Sequence, residues 1–258
     1  MRTKWGAGVI ALAIMLIGVA VAAAATTGDI LTLYPSGAGE QTYAAWNAQE
    51  GRPDSTGSAS QALYLQNLTG APDTAASAHV LGFEGTEVRF LVSIGYDHRK
   101  DSTCTKTDSR WTLFIRGKSG KRYLVTLGCA GTPAQATGDP NWIGRVYTQS
   151  FIRAEVLQQR GSDAYAGTVE RLAFVMDRSN GDVWADNIRV RSRFASKVWT
   201  FAGDNGNGTP PAPPSFSAED RALLAEEIPA AALLDEADLM ASLSPEQQAV
   251  IAEDADPS

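Results

Sequence analysis

Short segments of alternating apolar and polar residues run through the middle of the chain and predict strands, not helices. The clearest is Val169 to Val190, V-E-R-L-A-F-V-M-D-R-S-N-G-D-V-W-A-D-N-I-R-V, which predicts a β-hairpin. Leu172, Phe174 and Met176 alternate on the first arm, and Asn180-Gly181 supplies the positive-φ residues of a tight turn. Trp184, Ile188 and Val190 share one face of the second arm, and Asp186 has the same parity. A carboxylate on that face points at or just beyond the edge of an apolar core, where an unpaired charge is costly. It needs a partner: a bound cation, backbone N–H groups from a crossing loop, or an arginine.

Further strands are expected at Ile30–Tyr34, Gln61–Asn67, Ala78–Phe83, Glu87–Ile94, Trp111–Arg116, Lys121–Leu127, Ser150–Leu157 and within Ser192–Phe201, and Trp142 begins a more regular stretch. Ala38–Ser60 reads as loop anchored by Trp46, and Gly95–Ser109 as a polar loop. No long helix is expected between Asp29 and Gly203. Many short strands at turn-separated intervals favour an all-β fold, an antiparallel sandwich or barrel.

After Gly203 the pattern changes. Residues 204–216 form a Gly/Pro linker, and Ser217, Pro229 and Ser244-Pro245-Glu246-Gln247 mark the starts of three short helices. From Asp204 onward twelve carboxylates face one arginine, a net −11, so the whole-chain charge of −7 comes from this acidic helical tail. Helices this short need a partner to be stable, so residues 217–258 are expected to be a flexible appendage or a docking element for a protein partner. The remaining body is close to neutral, and no basic patch argues for nucleic acid.

At the other end Arg2 and Lys4 precede an uncharged run from Gly6 to Ala24, and Ala23-Ala24-Ala25 offers a small-residue cleavage site. Residues 1–25 are therefore expected to be a signal peptide and residues 26–203 the exported domain, secreted or at the cell surface. An uncleaved anchor is the alternative, disfavoured because the basic stop-transfer flank is missing. In an exported chain Cys104 and Cys129 are expected to form a disulfide.

The string V-W-A-D-N-I-R-V, with Q-A-L-Y-L-Q before it, resembles the strands of jelly-roll domains in the carbohydrate-binding-module and galactose-binding-like group. The order R-W-T-L-F-I, Y-L-V-T-L-G-C, V-E-R-L-A-F-V-M-D is similar to a secreted bacterial jelly-roll type. The resemblance covers Asp29 to Arg191. It implies an antiparallel jelly-roll β-sandwich, and a structural calcium with Asp186 as ligand and Asp29 or residues 38–40 as oxygen partners.

Sugar recognition needs flat aromatic faces, and Tyr96, Trp142 and Tyr147 are the expected ligand-binding residues, with Trp46 and Tyr165 as further loop aromatics. Trp111 and Trp184 keep parity with apolar residues and are expected to be buried. The run Asp97-His98-Arg99-Lys100-Asp101 has the ingredients of an acid–base site but reads as a solvated loop, and Glu155, Glu170 and Asp177 form no paired-carboxylate motif. No G-x-S-x-G, H-E-x-x-H or phosphate-loop motif is present. Asn67-Leu68-Thr69 and Asn207-Gly208-Thr209 fit a glycosylation acceptor pattern. The expected function is non-catalytic binding of extracellular or cell-surface polysaccharide; a structural surface protein and a carbohydrate-active enzyme are the alternatives.

Overall fold

The computed structural model describes residues 31–52, 61–69, 74–105, 108–177, 181–200, 216–225 and 236–255. The expected signal peptide, Asp29, Asn180, Asn207 and nearly all of the linker lie outside them. The strands are β1 (Thr32–Ala38), β2 (Thr42–Ala48), β3 (Gln61–Asn67), β4 (Ala75–Leu81), β5 (Leu91–Arg99) and β6 (Ser109–Arg116). They continue as β7 (Arg122–Gly128), β8 (Gln135–Ala136), β9 (Trp142–Thr148), β10 (Thr168–Met176), β11 (Gly181–Ser192) and β12 (Ser196–Trp199).

They form two sheets, β1-β4-β10-β6-β7 and β2-β3-β11-β5-β9-β8, with β12 added along β11. Every pairing among the described strands is antiparallel. Alternation explains the core between the sheets. Leu33, Val80, Leu113, Val125, Leu172 and Phe174 face Leu63, Leu65, Ile94, Tyr96 and Val190, all buried. The expected all-β sandwich is the fold, and the chain crosses repeatedly between its two sheets.

The predicted hairpin is different. β10 pairs with β4 and β6, and β11 pairs with β3, β5 and β12, so the two arms arch from one sheet to the other instead of pairing. Alternation reports which face of a strand is buried, not which strand lies beside it. A true hairpin is β6–β7, closed where Gly117 N–H donates to Lys121 O at 2.8 Å and Gly120 takes φ 86°. β2 occupies part of the segment expected to be loop.

Ser150–Leu157 is also not a strand. It lies in α1 (Gln149–Tyr165), whose N-cap Thr148 accepts from Phe151 N–H at 3.3 Å and whose course is kinked at Gly161. Residues 151–157 are all buried, Arg153 and Glu155 included, and the alternation of Ile152, Ala154 and Val156 with those two charges imitates the period of a strand.

Part of that burial comes from the tail and part from β5, β7 and β9. α3 (Glu236–Ser242) and α4 (Pro245–Ala255) pack on α1, placing Leu239, Leu243 and Ile251 in the main core. α2 (Ala218–Ala225) lies on the outer face of the first sheet, where Phe216 and Leu224 join Phe114, Leu124, Ala173 and Val175 in a second apolar cluster. The cap residues act as the sequence indicates: Ser217 Oγ accepts from Asp220 N–H at 3.0 Å, and Ser244 Oγ from Gln247 N–H at 3.2 Å. The described tail is thus packed on the body and not a loose appendage, because its short helices find their apolar contacts on α1 and the first sheet.

Cys104 and Cys129 are joined, with Cα atoms 5.3 Å apart. Closing a separation of 25 residues stabilises the fold by about 3.5 kcal/mol on the chain-entropy estimate. The double variant C104S/C129S should therefore lose about that much stability, read as an earlier urea midpoint with an unchanged slope.

Candidate functional site

The second sheet turns its outer face away from the core, and the register sets what that face carries. Val183 and Ala185 are buried inward, so Asp182, Trp184 and Asp186 point outward. Between Asp186 and Arg189 the pairing with β5 slips, and Asn187 adopts φ 46°, a left-handed value that asparagine tolerates. One added residue flips the parity, so Ile188 and Val190 return to the core. Trp184 and Asp186 therefore do not share a face with Ile188 and Val190, and the expected burial of Trp184 is corrected to partial exposure.

Asp186 is nonetheless buried, at 2 % exposure, because the segment after β2 crosses above it. Gly51 allows this approach, since a Cβ there would lie 2.1 Å from Gln61 O. Asp186 Oδ2 accepts from Arg52 N–H at 2.7 Å and Oδ1 from Asn187 N–H at 2.6 Å. Of the three partners the carboxylate could have had, backbone N–H groups from a crossing loop and from the bulge are present. Neighbouring Asp97 accepts from Arg52 Nη1, from Asn187 Nδ2 at 3.0 Å and from Arg189 Nη1 at 3.1 Å.

These residues do not fit the calcium implied by the resemblance. A hard cation needs a shell of six to eight oxygens, whereas the oxygens of Asp186 and Asp97 receive N–H groups and two guanidinium groups sit against Asp97. Asp29 lies outside the described residues. His98 lies beside Cys104 and Cys129, but the two sulfurs are bonded to each other and leave no metal site there.

Burial raises the Asp186 carboxyl to about 6, against the two N–H bonds that favour its ionised form. The folded state thus holds this proton more tightly, and the resulting stabilisation, about 3 kcal/mol, is complete below pH ~4 and lost as pH rises through about 6. His79 works in the opposite sense. Burial and Arg171 lower it to about 4, so its contribution is lost as pH falls from about 6.5 toward 4. The two oppose each other in one window. D186N should turn a nearly flat stability profile between pH 4 and 6.5 into one that falls on acidification, measured by urea midpoints.

Trp184 begins an aromatic strip. Its ring lies 4.2 Å from that of Tyr64 on β3, and Tyr64 lies 5.9 Å from Tyr43 on β2, which is 47 % exposed. These rings come from three adjacent strands, all on outward positions: Trp184 stands directly opposite Tyr64, and Tyr43, opposite Gln66, is the diagonal neighbour of Tyr64. The Arg99 guanidinium sits 4.5 Å from the Trp184 centroid, held by Glu50 at 2.8 Å and Asp101 at 2.7 Å. Beside it opens a groove of about 510 Å³ lined by Glu50, Arg99, Lys100, Asp101, Asn141 and Trp142.

Of the expected sugar-binding residues, only Trp142 reaches this groove, and its ring is 5 % exposed. Tyr96 and Tyr147 are fully buried between the sheets, stacked at 6.5 Å, and present no ring face to a ligand. The correction has a simple cause: both stand on inward positions of β5 and β9. Trp46 packs against the core and Tyr165 lies in it. The charged run is split by strand alternation, with Asp97 and Arg99 outward and His98 inward, so it assembles no acid–base site. Asp177 pairs with Arg110, and Glu170 with Arg116 and Arg122, on the other sheet. Asn67 is buried, donating to Thr74 O at 3.1 Å, and offers no acceptor for a glycan.

Tyr43, Tyr64 and Trp184 escaped sequence reasoning. Tyr64 stands between Leu63 and Leu65, and an aromatic out of phase with its apolar neighbours is the signal for an outward ring.

No family model matches the chain, and no curated protein matches it. Among solved structures it is similar to the enzymatically active domain of tailspike protein 4 of bacteriophage CBA120, at 10% identity and TM-score 0.34, over 67% of this chain and 20% of that one. A second is the CBM22-1 and GH10 modules of Clostridium thermocellum endo-1,4-β-D-xylanase 10B complexed with xylohexaose, at 13% and 0.33, over 64% and 27%. A third is the C-terminal family 22 carbohydrate-binding module of the same xylanase, at 10% and 0.30, over 69% and 92%. The chain thus spans roughly a fifth to a quarter of the first two.

Proposed function

We propose that this chain is an exported, non-catalytic glycan-binding sandwich whose binding face is the outer surface of the second sheet. The observation that carries the proposal is the strip Tyr43–Tyr64–Trp184 beside a groove walled by Glu50, Arg99, Asp101 and Asn141. Aromatic rings offer the apolar faces that pyranose rings stack on, and carboxylate, guanidinium and amide groups suit sugar hydroxyls in direction and spacing. Catalysis has no comparable support, since Asp97 and Asp186 have their oxygens engaged by protein donors. The disulfide suits an oxidising compartment, and no helix among the described residues is long and apolar enough to cross a membrane.

Affinity electrophoresis of the chain without residues 1–25 against a panel of neutral and acidic polysaccharides tests the proposal. Retardation by at least one polysaccharide is expected. Folded protein retarded by none would leave a structural surface role, and turnover of a glycan would require an enzyme instead.

A further inference from the structure

Away from the glycan face, the turn between β11 and β12 carries an aromatic side chain in an unusual setting. Phe194 is 72 % exposed, more than any other large hydrophobic residue among those described. The turn that presents it is firmly built: Ser192 Oγ accepts from Phe194 N–H at 3.2 Å and Ala195 N–H at 3.0 Å, and Arg193 N–H donates to Phe90 O at 2.8 Å. The Phe90 and Phe194 rings meet edge to face at 5.2 Å, with the guanidinium groups of Arg89 and Arg193 at 4.9 and 5.9 Å from Phe90. Arg191 and Lys197 flank the turn on the two strands. Arg89 is paired with Glu87, whereas Arg191, Arg193 and Lys197 have no ion-pair partner among the described residues.

We propose that this tip is a docking surface for an anionic lipid bilayer, with Phe194 entering the interfacial region and Arg191, Arg193 and Lys197 facing the headgroups. Shape and charge together select this partner. A ring 72 % exposed at the apex of a turn enters the headgroup boundary of a bilayer without rearrangement. Basic residues around it are attracted to anionic headgroups within a Debye length. A rigid turn also spends little conformational entropy on insertion.

Co-sedimentation with vesicles tests this on the chain without residues 1–25. Vesicles of phosphatidylcholine containing roughly a third phosphatidylglycerol are compared with pure phosphatidylcholine, at low and high salt. Binding to the anionic vesicles at low salt is expected, with weak binding to the neutral ones. F194S should lower the partition coefficient roughly tenfold, and R191Q/R193Q/K197Q about a hundredfold. Phe194, Arg191 and Arg193 are exposed and Lys197 is partly so, and near-ultraviolet circular dichroism confirms that both variants fold. The proposal is overturned if F194S partitions like the wild type, if anionic and neutral vesicles are bound equally, or if neither is bound. Retention by polygalacturonate that is lost in the triple variant, with no vesicle binding, would assign the tip to an acidic polysaccharide instead.

Discussion

Deleting residues 204–258 lowers the melting temperature of the sandwich by roughly 15 °C or more, or prevents folding. Phe216, Leu224, Leu239, Leu243 and Ile251 are all buried against the body. At about 1.5–3 kcal/mol for each fully buried side chain, they contribute about 8 kcal/mol or more, comparable with the whole stability of a typical domain. Deletion would also expose their counterparts: Phe114, Leu124 and Val175 on the first sheet, and the far side of α1. A buried ion pair goes as well. Asp220, 1 % exposed, accepts from Arg122 at 2.7 Å and Arg171 at 3.0 Å, contacts that hold its carboxyl below the usual range despite its burial. Calorimetry of residues 26–203 against 26–258 measures the effect, and an unchanged transition would mean the helices do not dock. The point variant L239S in the full chain, expected to cost about 2–4 kcal/mol, separates loss of packing from loss of the linker.

The second large effect is expected from D177N. Arg110 and Asp177 pair at 2.5 and 2.6 Å on the outer face of the first sheet, both nearly fully buried. Neutralising the carboxylate leaves a guanidinium buried without its counter-charge, a loss of about 3–5 kcal/mol. R110M should cost a similar amount for the opposite reason. The double variant R110M/D177L is expected to recover most of the loss, because an apolar pair of similar volume avoids desolvating either ion. Chemical denaturation of the four proteins gives the coupling directly, and additive losses would show that the two side chains do not act as a pair.

Local signals in the sequence were legible where one side of a segment decides its structure. Gln61–Asn67 alternates cleanly and is β3, and Gly117–Gly120 turns a true hairpin because both its arms lie in one sheet. Ser217 and Ser244 announce helix starts that form. What alternation does not carry is partner choice, so Val169–Val190 reads as a hairpin although its arms belong to different sheets. Phe151–Leu157 alternates like a strand because Arg153 and Glu155 punctuate it, and the contacts that bury all of it come from β5, β7 and β9 and from α3 and α4, which lie far away in sequence.

The candidate site was less legible than the fold. A single bulge at Asn187 inverts the parity of β11, and with it the places of Trp184 and Asp186. Asp186 did need a partner, but it found one in the N–H of Arg52, a residue 134 positions away that no local pattern could nominate. Aromatic character alone does not mark a site, since strand phase puts Tyr96 and Tyr147 in the core. Tyr64, in the same strand as two core leucines, was visible from its phase alone.

The central claim is that the outer face of the second sheet binds glycan through its aromatic strip. Its most direct test is calorimetric titration of the best-retarding polysaccharide into the wild type and W184A, with Y96F, whose ring stays in the core, as control. The expected result is unchanged affinity in Y96F and a loss of about thirtyfold in W184A, the roughly 2 kcal/mol of an aromatic hot spot. Equal affinity in W184A and wild type, with both proteins folded, would contradict the claim.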